Sequence, residues 1–170
     1  EAVIHAHFAG RDAITYEDFS RAREAHEWGV REPIRSMSVE EKRRLAYHES
    51  GHAVAMVSLL PRHRLSKVTI VRHGSALGLT AAKPLEERHT LTREEALAWI
   101  QTGLASRAAE ELFLGTRIAG AVGDLSDATE LAFHMLTMWG ADGSLFSVYY
   151  QKVPGDYRCS LLWSRWQLPE

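Results

Sequence analysis

Two histidines four residues apart, with a glutamate beside the first, form the most chemically specific stretch of this sequence: His48-Glu49-Ser50-Gly51-His52. Residues at i and i+4 share one face of an α-helix. Both imidazoles can therefore reach one tetrahedral Zn2+ and leave room for a further protein ligand and a water. Glu49, next to the first histidine, is placed to take a proton from that water and pass it to a leaving amine. Zinc lowers the pKa of such a water to about 7, which makes a hydroxide nucleophile available at neutral pH. The spacing predicts a metallohydrolase.

A helix must carry these side chains, and the surrounding residues supply one. Ser38 as N-cap with Glu41 three positions on is a capping box. Val39, Leu45, Ala46, Ala53, Val54 and Val57 continue the pattern until Pro61 stops it, so a helix is expected from about Val39 to Leu60. Gly51 inside that helix costs about 1 kcal/mol against alanine, which predicts a neighbouring element in close approach. Two histidines do not complete a zinc site. The subclass with a third histidine six residues after the second is excluded, because Ala55 and Ser58 stand where its glycine and histidine would be. A downstream helix must then bring an acid, from Glu110 and Glu111 or from Asp124 and Asp127, and spacing favours neither pair. The plain reading of Asp124 is a helix N-cap.

The 170 residues suffice for about one domain plus additional segments. Hydrophobic content of 45% and charged content of 25% are those of an ordinary globular protein, and a net charge of −2 gives no electrostatic ground for binding nucleic acid. Cys159 is the single cysteine, so no internal disulfide forms and the chain suits a reducing compartment. No apolar run of about 18 residues, the length needed to span a bilayer, occurs. Because it opens on Glu1 rather than Met, the chain reads as a piece of something longer.

The elements expected are mostly helical. One helix runs to Phe8 and is stopped by Gly10; Thr15 and Asp18 cap another through Trp28; residues 29–37, with Gly29 and Pro33, read as a linker. Lys67–Val71 and Leu77–Thr80 read as a hairpin turning at His73-Gly74-Ser75. Thr92 and Glu95 cap a long helix to Leu114, ended by Gly115, with Ala96, Ile100, Leu104, Ala108 and Leu112 as its apolar stripe. A last helix starts near Asp124 or Ser126 and stops at Gly140, and weak strand character follows at 145–150. The fold class is α+β, mainly α with a small β-hairpin or sheet. The other seven histidines include no second pair at ligand spacing and read as surface or partly buried.

Several separated motifs occur in order: the helix from Glu41-Lys42-Arg43-Arg44-Leu45-Ala46-Tyr47 through His48-Glu49-Ser50-Gly51-His52-Ala53, then Lys67-Val68-Thr69-Ile70, Ala76-Leu77-Gly78-Leu79-Thr80, Arg107-Ala108-Ala109-Glu110-Glu111, Gly120-Ala121, Asp124-Leu125, Ala128-Thr129 and Trp139-Gly140. Across residues 1–143 this resembles the FtsH family of membrane-anchored, ATP-dependent zinc proteases, in truncated form. The resemblance implies a zincin-like helical metalloprotease domain over 39–143, a linker at 31–38, the end of an ATPase lid over 1–30, and an unassigned segment at 144–170. It implies that His48, His52 and Asp124 hold one Zn2+ per chain and that Glu49 is the catalytic base. Glu110 is implied to lie near the metal, where it would bond a ligand histidine's free N–H. The hairpin corresponds to the strand along which the family lays extended substrate.

The resemblance further implies polypeptide substrates, a homo- or hetero-hexamer in the full-length protein, and membrane attachment through segments outside this chain. The protease domain would be a soluble one facing a reducing compartment (cytoplasm, or organelle matrix or stroma). No GxxxxGK[ST] phosphate loop is present, so ATP enters only through an ATPase module that is missing from this chain. Two departures from the family pattern stand near the site: Ala105-Ser106 replaces a glycine pair, and Ala119-Gly120-Ala121-Val122-Gly123 precedes Asp124 where hydroxyl and amide side chains are usual. Two other readings remain open, a different zinc metallohydrolase with Glu110 as third ligand and a catalytically silent scaffold member of a protease ring.

Overall fold

The computed structural model describes residues 1–32, 36–74, 76–141 and 143. Ser75 of the expected turn, Pro33 of the expected linker, the strand character read at 145–150 and the whole of 144–170 lie outside the described residues. The chain is mainly helical with one small two-stranded antiparallel sheet, the class that the pattern predicts. It divides into two compact units, one formed by Glu1–Ala46 with Thr69–Leu79, the other by Tyr47–Val68 with the chain from Thr80 onward.

In the first unit, α1 (Ala2–Phe8) gives way to Gly10 at φ 68°, and α2 (Tyr16–Trp28) begins at the Thr15 capping box. Asp18 does two jobs there. It closes that box and receives a bidentate pair from Arg11, with Nη1–Oδ2 and Nη2–Oδ1 both at 2.6 Å. The Arg11 bond, reinforced by the Thr15 amide and hydroxyl, holds the Asp18 carboxyl well below the usual carboxylate range. Residues 30–32, directly after α2, bond residues 72–74. Arg31 bridges His73, the Glu32 amide donates to the Arg72 carbonyl at 3.0 Å, and His73 is itself buried.

Helix α3 (Val39–Leu59) starts as expected, with the Ser38 hydroxyl accepting from the Glu41 amide at 3.1 Å and the Glu41 carboxylate accepting from the Ser38 amide at 3.2 Å. Its second half belongs to the other unit. There β1 (His63–Thr69) pairs with β2 (Leu79–Pro84), in a register set by the Leu85 amide bonding the Arg62 carbonyl at 2.9 Å. Both strands therefore run further from the turn than the expected Lys67–Val71 and Leu77–Thr80. The reason is that β1 is half-buried in strict alternation, with His63, Leu65, Lys67 and Thr69 inward. The β-branched cluster marked only its end.

Helix α4 (Arg93–Leu114) has the expected ends, a Thr92–Glu95 capping box and Gly115 in the left-handed region at φ 63°. Its buried face does not match the expected stripe. Ala96 is fully buried, but Leu104, Ala108 and Leu112 are exposed, and the covered face continues through Ala98, Thr102, Ser106, Ala109 and Glu110. Small and polar side chains line it because another backbone comes too close for leucine. A Cβ built on Gly51 would lie 2.6 Å from the Ala105 carbonyl oxygen and 2.9 Å from the Ser106 Cα and the Ala109 Cβ.

A 3₁₀ turn (Ala119–Ala121) leads into α5 (Val122–Thr137), which starts earlier than expected and has Ala121 rather than Asp124 at its N-cap. Leu131 and Met135 of α5 pack on Ala96 of α4, with Leu91, Leu97, Trp99, Ile100 and Ala141 around them.

Gly51→Ala tests the close approach. Helix propensity alone would stabilise it by about 1 kcal/mol. The methyl would instead meet backbone, which cannot swing aside, and overpacking of that kind costs about 1–3 kcal/mol. Chemical denaturation should show a net loss of stability; a net gain would contradict the contact.

Candidate metal centre

Three helices deliver the polar side chains of this centre. His48, Glu49 and His52 come from one face of α3 and are all buried. The i, i+4 spacing brings the two rings to 5.0 Å between centroids, nearly perpendicular at 83°. Each ring is tied through Nδ1 to α4. His48 Nδ1 donates to Glu110 Oε1 at 2.7 Å, and His52 Nδ1 donates to the Thr102 carbonyl at 2.8 Å. A carbonyl can only accept, so His52 must carry its proton on Nδ1. Both Nε2 atoms then face the same point, and α5 supplies what meets them. Asp124 Oδ2 lies 3.3 Å from His48 Nε2, and Asp124 Oδ1 lies 3.4 Å from His52 Nε2.

His48, His52 and Asp124 each offer a ligand atom, all within 4.8 Å of one another, and they are the only such group of three among the described residues. Two neutral imidazoles and a carboxylate, with both outer ring nitrogens already bonded, make a donor set suited to a divalent cation. Asp124 keeps 27% of its side chain exposed against 9% and 10% for the histidines, so the centre opens to solvent on the Asp124 side.

The supporting bonds reach further. Glu110 is completely buried, and its second oxygen accepts from the Ile118 amide at 2.9 Å. Arg107 Nη1 donates to the Ile118 carbonyl at 3.2 Å. That clamp holds the residue from which the 3₁₀ turn and α5 depart, so it helps aim Asp124. The Ser106 hydroxyl, fully buried, contacts Asp124 Oδ2 at 3.3 Å. Thr80 of β2 donates to Glu49 Oε2 at 2.7 Å.

Of the acids considered from spacing, Asp124 alone joins the two Nε2 atoms. Glu110 sits behind His48, on the other ring nitrogen. Glu111 points away to Arg117 at 2.6 Å, and Asp127 is outside the cluster. Thr80, Thr102, Ser106 and Ile118 were not foreseen. Thr102 acts through its carbonyl and Ile118 through its amide, which side-chain identity does not report. Thr102 and Ser106 do fall on a run of small residues with Ala98 and Ala109, a stripe that matched the glycine of the motif helix and could have marked the contact.

Burial alone would push His48 below its usual pKa, but Asp124 and Glu110 on its two nitrogens outweigh it and push it up to about 9. Burial would raise the Asp124 carboxyl, yet the two histidines hold it well below the usual carboxylate range.

A family model described as peptidase family M41 matches residues 35–160. The ATP-dependent zinc metalloprotease FtsH 2 of Methylacidiphilum infernorum (isolate V4) is 37% identical over 150 residues, covering 88% of this chain and 23% of that protein. The ATP-dependent zinc metalloprotease FtsH of Methylibium petroleiphilum is 39% identical over 157 residues, covering 92% of this chain and 25% of that protein. The protein of the same name from Aquifex aeolicus is 31% identical over 159 residues, again covering 92% and 25%. The chain therefore spans about a quarter of the length of these curated relatives.

The His48 shift fixes a pH dependence. A histidine whose pKa rises from 6.5 to about 9 on folding stabilises the metal-free fold fully below 6.5, and that contribution is lost as pH rises through about 9. NMR titration of the metal-free chain should place the His48 midpoint near the upper value, with Asp124→Asn bringing it down. A midpoint at the ordinary histidine value would contradict the pairing. Cation binding should release that proton and weaken as pH falls.

Proposed function

The chain belongs to peptidase family M41, and we propose that it is the proteolytic part of an ATP-dependent, membrane-associated zinc endopeptidase. One observation carries the reading: two histidine Nε2 atoms from α3 and the Asp124 carboxylate from α5 converge on one point, with both Nδ1 atoms already bonded. His48, His52 and Asp124 would hold the zinc. When bound there, zinc supplies a Lewis acid that polarises the scissile carbonyl and lowers the pKa of water.

The chain's own groups do the rest. Glu49, one residue from His48 on the same helix, accepts the proton of the attacking water on a carboxylate oxygen and returns it to the leaving amine nitrogen. Glu110 and the Thr102 carbonyl keep both imidazoles in the tautomer whose Nε2 lone pair is free. A two-stranded sheet leaves unpaired edges, and a polypeptide added along one would be held mainly by backbone bonds, which suits broad sequence tolerance. The substrates proposed are unfolded and membrane proteins.

The remaining parts of the activity would come from other segments of a longer protein: the ATPase, membrane attachment and hexamer formation. Among the described residues no helix is long and apolar enough to cross a membrane. The buried His48–Glu110 bond speaks against Glu110 as a metal ligand. The intact His48, Glu49 and His52 speak against a silent scaffold.

Two substitutions test the reading with this chain in its full-length context. Asp124→Ala should lose bound zinc by metal analysis. Glu49→Gln should keep its zinc yet cleave an unstructured protein such as casein more slowly, on the order of 10²- to 10⁴-fold. Full zinc in Asp124→Ala, or unchanged cleavage by Glu49→Gln, would overturn it.

A further inference from the structure

One polar contact enters the site from the sheet rather than from a helix. The Thr80 hydroxyl of β2 lies 2.7 Å from Glu49 Oε2 and 3.0 Å from the Glu49 backbone carbonyl oxygen. We propose that Thr80 is the positioning residue for Glu49, a role that rests on the peptidase reading above.

The direction of the bond follows from its partners. A backbone carbonyl and an ionised carboxylate can only accept, so the single hydroxyl proton of Thr80 serves both, and the shorter contact is to the carboxylate. A hydrogen bond to a charged oxygen is about twice as strong as one between neutral groups.

The anchor is stiffer than what it holds. Threonine is β-branched and restricted at χ1. Its strand is pinned to β1 by the Ser66 hydroxyl on the Ala81 carbonyl at 3.0 Å and by the Leu85 amide on the Arg62 carbonyl at 2.9 Å. Glutamate is long and has several staggered rotamers to choose among. Thr80 removes that choice. By taking both acceptors from one residue, it sets the carboxylate relative to the backbone of α3, and hence relative to His48 and His52 on the same helix. With Oε2 engaged by the hydroxyl, Oε1 is the oxygen that receives the proton of the water. Thr80 itself touches neither the cation ligands nor, in this role, the substrate.

The test compares Thr80→Val, which keeps the branched shape and loses the hydroxyl, with Thr80→Ser, which keeps the hydroxyl, and with Glu49→Gln. Three readouts are taken on each zinc-loaded protein: zinc content, kcat and KM on a peptide, and the ¹³C resonance of the Glu49 carboxyl, assigned by its disappearance in Glu49→Gln. The ¹³C spectrum is also recorded on the zinc-free protein. Thr80→Val should lower kcat on the order of 10- to 100-fold, with KM and zinc content unchanged. It should also move the Glu49 resonance in both the zinc-free and zinc-loaded protein. Thr80→Ser should recover most of the kcat loss and restore the resonance.

Wild-type kcat in Thr80→Val alongside an inactive Glu49→Gln would overturn the positioning role alone. So would equal losses in the Val and Ser variants, a loss confined to KM or zinc content, or an unmoved resonance. Unchanged cleavage by Glu49→Gln would instead overturn the peptidase reading, and the role of Thr80 with it.

Discussion

The centre depends on two helix backbones meeting at Gly51 with no side chain between them. Only that approach lets α4 reach behind both histidines at once, with the Glu110 carboxylate on one Nδ1 and the Thr102 carbonyl on the other. Those bonds are mutual obligations. A buried polar group left without its partner costs about 1–3 kcal/mol, so Glu110 needs His48 and the Ile118 amide as much as they need Glu110. The result is a pair of rings whose direction is set before any cation arrives. Such preorganisation lowers the entropy lost on binding.

The third contributor is aimed by different means. Asp124 lies inside α5, which is fixed at one end by the packing of Leu131 and Met135 against Ala96 and at the other by the Arg107–Ile118–Glu110 clamp. The same buried glutamate therefore orients His48 and braces the entry to the helix that carries Asp124. Coupling of this kind predicts non-additive mutational effects among Glu110, Arg107 and His48. It also explains why the carboxylate need not be a helix cap: the 3₁₀ turn places Ala121 at that position, and the Asp124 oxygens face the imidazoles.

Local signals were the legible part of this protein. The capping boxes at Thr15, Ser38 and Thr92 and the glycine stop at Gly115 all appear where residue chemistry within one turn of helix puts them. The motif helix and the reason for Gly51 were equally readable, since periodicity and the cost of glycine are both local properties. The failures involve partners far apart in the chain. The α4 stripe misled because steps of four residues overrun a turn of about 3.6, so the series from Ala96 to Leu112 winds around the helix, whereas burial follows the line of closest approach to α3. Strand limits slipped because pairing is a property of two segments, and β-branching describes one. Spacing left Glu110 and Asp124 undecided. The side of the imidazole ring that each one faces is a three-dimensional fact.

The central claim is that His48 and His52 bind a metal through Nε2, with Asp124 completing the protein ligands and Glu110 kept on the opposite side of the ring. Anomalous diffraction at the zinc edge from zinc-loaded crystals measures this directly. A single peak about 2.0–2.2 Å from both Nε2 atoms and from an Asp124 oxygen is the expected result. A peak bonded to Glu110, or to either Nδ1 atom, would contradict it.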